Sequence, residues 1–294
     1  MKSMTVLRDS GGIWLNILGL VASGRKLGNS EILAKEMLGT LAGEKRLLRL
    51  SELSVEPCRA CYACLPSGKP CIIRDDLAFF LEQIEWADVV VIASPCYFLG
   101  SHTSIKLIGD RLISIINDCK RFQGKRCVAA VSYGVADWEG YAREAVMNFA
   151  RFLHLDLTGT LVVRAANPGE VVQSEILAEA RALAGRLAEG GDHSCQQQEA
   201  HTCQGCGSSL LQITPAGQVR CVMCGMTGQL AVEASGFALT FNQPEHSRFS
   251  SHGMVEHGQR LEDIKQEYIA RRKDLLALRK QYQEQDEWWI RPPR

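Results

Sequence analysis

Asp88-Val-Val-Val-Ile-Ala93 is the stretch that decides the fold. Five apolar residues follow the acidic start without a polar one at alternate positions, so neither face of such a strand is made for water. A strand buried on both sides belongs to a parallel sheet covered by helices, and the flanking residues supply them. Before it, Asp75–Trp86 spaces Leu77, Phe80, Leu81 and Ile84 by three and four, the period of a helix with one apolar stripe. After it, Thr103–Ile116 reads as another helix. Further out, Trp14–Val21 predicts the first strand. Asn29–Leu41 follows as a helix striped with Ile32, Leu33, Met37 and Leu41, and Arg46–Leu50 as a weak second strand. Towards the C-terminus come strand Arg126–Ser132, helix Glu139–Leu153, strand Thr158–Arg164 and helix Ser174–Leu187. Five strands alternating with five helices predict an α/β fold, a doubly wound five-stranded parallel sheet.

Bulk properties narrow the rest. With 294 residues the chain can bury a full core and carry a smaller appendage. Its 33 basic and 33 acidic residues balance, which argues against nucleic acid or an anionic membrane as the main partner. The apolar run Ile13 to Ala22 is interrupted by Asn16 and too short to span a bilayer, and Asp9, Gly11 and Gly12 spoil a signal-peptide pattern. The sequence therefore predicts a cytoplasmic protein. The composition turns polar after Glu189, which divides the chain into a sheet domain at 1–190, a linker at 191–200, a cysteine-rich segment at 201–235 and a C-terminal helical arm at 236–294. In the arm, Leu261, Ile264, Tyr268, Leu275, Leu278 and Tyr282 recur at roughly helical intervals. Trp288 and Trp289 are expected to anchor it to a neighbour.

Twelve cysteines are many for a reducing compartment, and eight of them fall into two quartets. The first is Cys58-x2-Cys61-x2-Cys64-x6-Cys71. Three thiols two residues apart are too crowded to pair comfortably with one another, and tight thiolate runs of this kind hold iron–sulfur clusters. A structural zinc, and free or disulfide-bonded thiols, are the competing readings. The second is Cys203-x2-Cys206-x14-Cys221-x2-Cys224, each pair followed by glycine (Gly207, Gly225), with a hairpin expected around Pro215-Ala216-Gly217. It reads as a zinc ribbon, with a rubredoxin-like single iron as the alternative. His201 is a spare ligand that four thiolates make unnecessary, and with Arg220 the one basic residue between the knuckles, nucleic-acid binding is disfavoured.

Three loops at the carboxyl ends of strands carry the remaining chemistry. Ser23-Gly24-Arg25-Lys26-Leu27-Gly28-Asn29-Ser30 leads into a helix and can aim backbone N–H groups at a phosphate. Ser23, Asn29 and Ser30 add side-chain donors and Arg25 adds charge, although the loop is neither a P-loop nor a dinucleotide fingerprint. Ser94-Pro95-Cys96-Tyr97-Phe98-Leu99-Gly100 offers aromatic rings to flank a flat ligand where doubly wound sheets bind theirs. Ser132-Tyr133-Gly134-Val135 occupies the corresponding place after the fourth strand.

Five strands suit the flavodoxin-like version of the fold. Gly-Arg-Lys-x-Gly-Asn-Ser after strand one, Ser-Pro-x-Tyr-Phe after strand three and the Ile105-Lys106…Asp110-Arg111 helix together resemble the NADPH-dependent FMN reductase branch of flavodoxin-like proteins. With the Cys58–Cys71 loop after strand two, the resemblance narrows to the iron–sulfur flavoproteins, over roughly residues 13–190. It implies FMN with its phosphate on Ser23, Arg25, Gly28, Asn29 and Ser30. The isoalloxazine would lie against Pro95, Cys96, Tyr97 and Phe98, with Ser132, Tyr133 and Gly134 opposite. It further implies a [4Fe–4S] cluster on Cys58, Cys61, Cys64 and Cys71, and a homodimer or homotetramer in which cluster and flavin face each other across subunits.

No general acid or base is expected, because FMN itself links two-electron and one-electron donors. The reading that follows is an FMN-dependent oxidoreductase exchanging electrons with a cluster and a partner such as ferredoxin or NAD(P)H. An NAD(P)H-dependent flavin, quinone or nitro-compound reductase with a structural or empty first quartet is the alternative, and a redox sensor or docking module is a third. Cys96 near the flavin loop, Cys119, Cys127 and Cys195, and the loop histidines His246, His252 and His257 have ordinary packing or solvation as their simplest account.

Overall fold

The computed structural model describes residues 14–66, 68–188, 201–233, 236–242, 247–280, 282–283 and 290. The expected linker, Cys195, His246, Trp288 and Trp289 lie outside them. The first part of the chain runs β1 (Leu15–Val21), α1 (Asn29–Thr40), β2 (Gly43–Arg49), α2 (Leu77–Trp86), β3 (Val89–Tyr97), β4 (Gly100–Ser101) and α3 (Thr103–Gly109). It continues through α4 (Cys119–Phe122), β5 (Arg126–Tyr133), α5 (Ala142–Phe152), β6 (Asp156–Arg164) and α6 (Ser174–Gly185). The five long strands are parallel in the order β2-β1-β3-β5-β6, the flavodoxin-like arrangement.

The uniform apolar run of β3 explains itself in the two cores. Val90 and Ile92 point to one face, with Leu18 and Leu20 of β1 and Phe80, Ile84, Ile108 and Phe149 of the helices. Val89, Val91 and Ala93 point to the other, with Ile17, Leu33, Met37 and Leu183. Every β3 residue from Val89 to Ser94 is buried, as a central strand covered on both faces requires.

Within the sheet domain, two elements differ most from the sequence reading. The helix expected over Thr103–Ile116 stops at Gly109, a poor helix former, and a 3₁₀ turn covers Leu112–Ile115 while Arg111 turns inward between them. The Ser94–Gly100 loop is instead mostly strand. β3 runs on to Tyr97, turns through Phe98 and Leu99 at φ 47° and 66°, and returns as β4, pairing Cys96 with Ser101 and Tyr97 with Gly100. Two consecutive left-handed residues form the tight reversal of a two-residue hairpin.

The cysteine-rich segment forms a four-stranded antiparallel sheet of β7 (Leu211–Ile213), β8 (Gln218–Cys221), β9 (Thr227–Glu233) and β10 (Gly236–Phe241). It extends past residue 235, the end expected from composition. α7 (Ser251–Lys280) begins eight residues before the expected Gln259 and runs for 30 residues. Among the described residues no helix is long and apolar enough to cross a membrane.

Candidate functional site

The carboxyl edge of the sheet collects the loops that the sequence singled out. After β1, Ser23 and Gly28 to Ser30 are buried while Gly24 to Leu27 are exposed. The Ser23 hydroxyl accepts from Arg25 N–H (3.2 Å), Leu27 sits at φ 51°, and Gly28 caps α1 without a side-chain hydrogen bond. The first N–H groups of such a helix have no intrahelical partner and point at the loop. Glu31 stands in this first turn, where a carboxylate would repel an anion. It is neutralised: its oxygens accept from Lys35 (2.7 Å), Arg49 (2.7 Å) and Leu27 N–H (2.7 Å). The Lys35 hydrogen bond, with those of Arg49 and Leu27 against a burial cost, holds its carboxyl at about 2, below the usual 4.5. Arg49 also donates to the carbonyl of Ser23 (2.6 Å), so the end of β2 braces the loop.

Asn29 departs from its expected role. Its Nδ2 donates to the carbonyls of Ala165 and Asn167 (both 3.0 Å), and its Oδ1 accepts from Gly169 N–H (2.9 Å). The side chain ties α1 to the turn after β6, which leaves only its backbone N–H to face a ligand. Ser30 and Ser132, both buried, bring their hydroxyls to 3.3 Å and so join the first loop to the one after β5.

The β3–β4 hairpin forms an aromatic lip. Phe98 is fully exposed, and Tyr97, Trp138 and Tyr141 are more than two-fifths exposed. Tyr141 N–H donates to Leu99 O (2.7 Å), and Gly140 at φ 56° lies so close that a Cβ there would sit 2.2 Å from that oxygen. Cys96 donates its thiol to the carbonyl of Glu139 (3.3 Å), and burial pushes that thiol up. His102, which the sequence reading passed over, caps α3 through Nδ1 and packs against Tyr97 (5.5 Å between ring centres).

The first quartet lies in the irregular segment after β2. Cys61 is exposed, Cys58 and Cys71 are half-buried, and Cys64 is buried. Ala60 at φ 47° and Tyr62 at φ 54° turn the chain sharply between the thiols. Burial, followed by the charges of Cys71, Cys61 and Cys58, pushes the Cys64 thiol up. The segment is pinched at its base. Asp75 accepts from Glu56 N–H (2.9 Å) and from Arg111, whose fully buried guanidinium also donates to Glu56 O and to Cys71 Sγ (3.3 Å). A neutral thiol is a weak acceptor, so an aimed guanidinium suits a thiolate bound to a metal group.

The second quartet converges tightly. The sulfurs of Cys203, Cys206, Cys221 and Cys224 all lie within 4.8 Å of one another, and two pairs are 3.5 Å apart. Tetrahedral bonds of about 2.3 Å put sulfurs about 3.8 Å apart, so the set fits one ion of the zinc or iron type. The two knuckles match: Gly207 N–H donates to Cys203 O (2.7 Å) and Gly225 N–H to Cys221 O (2.9 Å), at φ 69° and 82°. Among the described residues this is the one group of three or more such ligands so closely gathered. Sequence reasoning missed how the ribbon is seated. Arg151 donates to Cys206 O (2.6 Å) and Arg143 to Gly207 O (3.0 Å), while buried Glu144 accepts from Ser209 Oγ (2.8 Å).

Residues 15–165, slightly more than half of the chain, match the NADPH-dependent FMN reductase family. The chain belongs to that family. This makes the sheet domain FMN-dependent oxidoreductase machinery, in keeping with its fold. Among curated relatives, an iron–sulfur flavoprotein of Methanocaldococcus jannaschii is 32% identical over 100 residues, covering 33% of this chain and 51% of that one. An iron–sulfur flavoprotein of Methanosarcina thermophila is 29% identical over 153 residues, covering 51% and 77%. The chain spans about half the length of the first two curated relatives it matches. Among solved structures, a flavone reductase superposes with a TM-score of 0.75 at 19% identity, over 95% of this chain and 100% of its own. That likeness is one of fold, and at such coverage it takes in more of the FMN reductase-family chain than the sheet domain alone.

Proposed function

We propose that this chain is an iron–sulfur flavoprotein-type oxidoreductase. FMN would be held at the carboxyl edge of the sheet and a [4Fe–4S] cluster by Cys58, Cys61, Cys64 and Cys71. The observation that supports the reading is the Cys58–Cys71 segment between β2 and α2, gripped at both ends by a buried guanidinium that also donates to the Cys71 sulfur. The backbone N–H groups of the loop leading into α1, with Ser23, Ser30 and Arg25, would bind the phosphate. Arg49 and Lys35 cancel the charge of Glu31 there. Pro95, Cys96, Tyr97 and Phe98 would line one side of the ring, and Ser132, Tyr133 and Gly134 the other. When bound, FMN supplies exchange between two-electron and one-electron donors. The chain's own part is to orient the ring, exclude water and hold the thiolates. The ribbon would hold a structural zinc, because it is closed on all four sides by buried thiolates. The partners proposed are a ferredoxin-type protein or NAD(P)H, with a second copy of the chain completing a homodimer or homotetramer in the cytoplasm.

The test is anaerobic purification with flavin, iron, sulfide and zinc analysis, followed by reduction trials. About four iron and four sulfide, one FMN and one zinc per chain are expected. Fast reduction by ferredoxin and slow reduction by NAD(P)H should accompany them. The exposed lip of Tyr97, Phe98, Trp138 and Tyr141 favours a second reading, an NAD(P)H-dependent reductase of a flat organic acceptor stacked on the ring. FMN without sulfide, with turnover on NAD(P)H and a quinone or nitro compound, would establish that reading instead.

A further inference from the structure

We infer that Arg111 is a positioning residue that sets the reduction potential of the metal group on the first quartet through its hydrogen bond to Cys71. The inference rests on the reading that this quartet holds the iron–sulfur cluster.

Arg111 is the largest fully buried side chain of the molecule's described residues, and its side chain has no exposure. Burying a guanidinium demands compensation, and Asp75, itself 5% exposed, supplies the countercharge through both oxygens (2.6 and 3.2 Å). All four Nη hydrogens are engaged: Nη1 donates to Asp75 and Glu56 O, Nη2 to Asp75 and Cys71 Sγ. Nε is buried without a partner. A guanidinium serving only to neutralise Asp75 has no need of a sulfur, and a neutral thiol would satisfy a buried cationic donor poorly. A metal-bound thiolate satisfies it well. The position in the fold is equally specific. Glu56 lies two residues before Cys58 and Asp75 four after Cys71, so the one guanidinium grips both ends of the cysteine segment together with its last ligand. Gly109 and the break between α3 and the 3₁₀ turn are what let Arg111 face inward.

Hydrogen bonds to the sulfurs and local charge are principal settings of cluster potentials. One-electron reduction adds one negative charge to the thiolate-bound group and breaks no bond. A cationic N–H donor at Cys71 therefore stabilises the reduced state more than the oxidised one and raises the potential. Asp75 opposes this by partly cancelling the charge.

The two substitutions should thus act in opposite directions, which a general loosening of the loop does not produce. The experiment is an anaerobic dithionite titration of the full-length holoprotein, followed by electron paramagnetic resonance, on wild type, Arg111→Gln, Arg111→Lys and Asp75→Asn. Arg111→Gln should lower the midpoint potential, with about a tenfold shift in the oxidised-to-reduced equilibrium, or ~59 mV for one electron. Arg111→Lys should recover part of it, and Asp75→Asn should raise the potential. Where Arg111→Gln does not retain the cluster, the sign of the Asp75→Asn shift decides. An unchanged potential in cluster-loaded Arg111→Gln, a fall in Asp75→Asn, or loss of the cluster in both overturns the inference in favour of a purely structural role. A wild-type protein without sulfide removes the first-quartet reading itself, an outcome distinct from a cluster whose potential ignores Arg111.

Discussion

The two cysteine quartets use the same four side chains in opposite ways. In the ribbon, every sulfur is buried, the two knuckles repeat one glycine and one hydrogen bond, and the pairing of β7 with β8 brings the two thiol pairs together. In the loop after β2, exposure runs from open Cys61 to buried Cys64, and among the described residues no strand or helix intervenes between Cys58 and Cys71. What holds that loop is borrowed from elsewhere. Arg111 and Asp75 close its base, Asn117 Nδ2 donates to Leu65 O (2.9 Å), and Leu65 packs with Ile116, Cys119 and Met254 of α7. Lys265 reaches Tyr62 O (3.4 Å) from the same helix. The closed site is built to be permanent. The open one is built to be reached, and it depends on parts of the chain nearly two hundred residues away.

The two quartets are also mechanically linked. The start of α7 is fastened to the second knuckle, where Arg248 donates to the carbonyls of Val222 (3.3 Å) and Met223 (3.4 Å). Phe249 meets Phe152 of α5 edge-on, and a few residues later Met254 covers Leu65. The second knuckle of the ribbon thus supports the helix that shelters the loop.

The largest effect should follow from Cys221→Ser. Structural zinc carries about 10–16 kcal/mol in isolated fingers, so losing a ligand should unfold the ribbon outright. Hydrogen exchange is expected to rise throughout 201–241, and also at Tyr62–Leu65, while β1, β3 and β5 stay protected. Unchanged exchange at Tyr62–Leu65 would break the link between the quartets. Met254→Ala should cost ~2–5 kcal/mol as a buried truncation. It should also speed the reaction of Cys64 in the metal-free protein with a thiol reagent and leave zinc content intact, a result that sharpens the contrast because only the open site responds. The smallest effect lies outside both quartets. Glu31 has a depressed carboxyl pKa, so its stabilisation is complete above about pH 4.5 and fades as pH falls towards about 2. The difference in denaturant stability between wild type and Glu31→Gln should shrink over that interval. A difference that grows on acidification would contradict the assignment.

Much of this was legible in the sequence, for identifiable reasons. Continuous apolar strands and three-and-four helical spacing depend on local chemistry, and the five strands appear in order with ends shifted by a few residues. The ribbon quartet was equally plain, since its spacing and paired glycines dictate the knuckles. Tertiary demands hid the rest. Asn29 resembles a phosphate donor, yet it is spent on Ala165, Asn167 and Gly169, 136 to 140 residues away. Arg111 reads as a helix-surface cation next to Asp110, and only its inward turn joins it to Asp75 and Cys71. The break at Gly109 was the one available signal. Glu144, a helical acid with an arginine on its N-terminal side, gave no sign of receiving Ser209 of the ribbon. The early start of α7 at Ser251 was masked by the polar His252 and Gly253.

The most direct test of the central claim, that the two quartets hold different groups for different purposes, is metal and sulfide analysis of anaerobically purified wild type, Cys61→Ser and Cys221→Ser. The account predicts that Cys61→Ser loses iron and sulfide but keeps one zinc, and that Cys221→Ser loses zinc while retaining cluster iron, in lower yield because its loop is less sheltered. Zinc in both quartets of the wild type, or iron and sulfide that disappear only with Cys221→Ser, would contradict it.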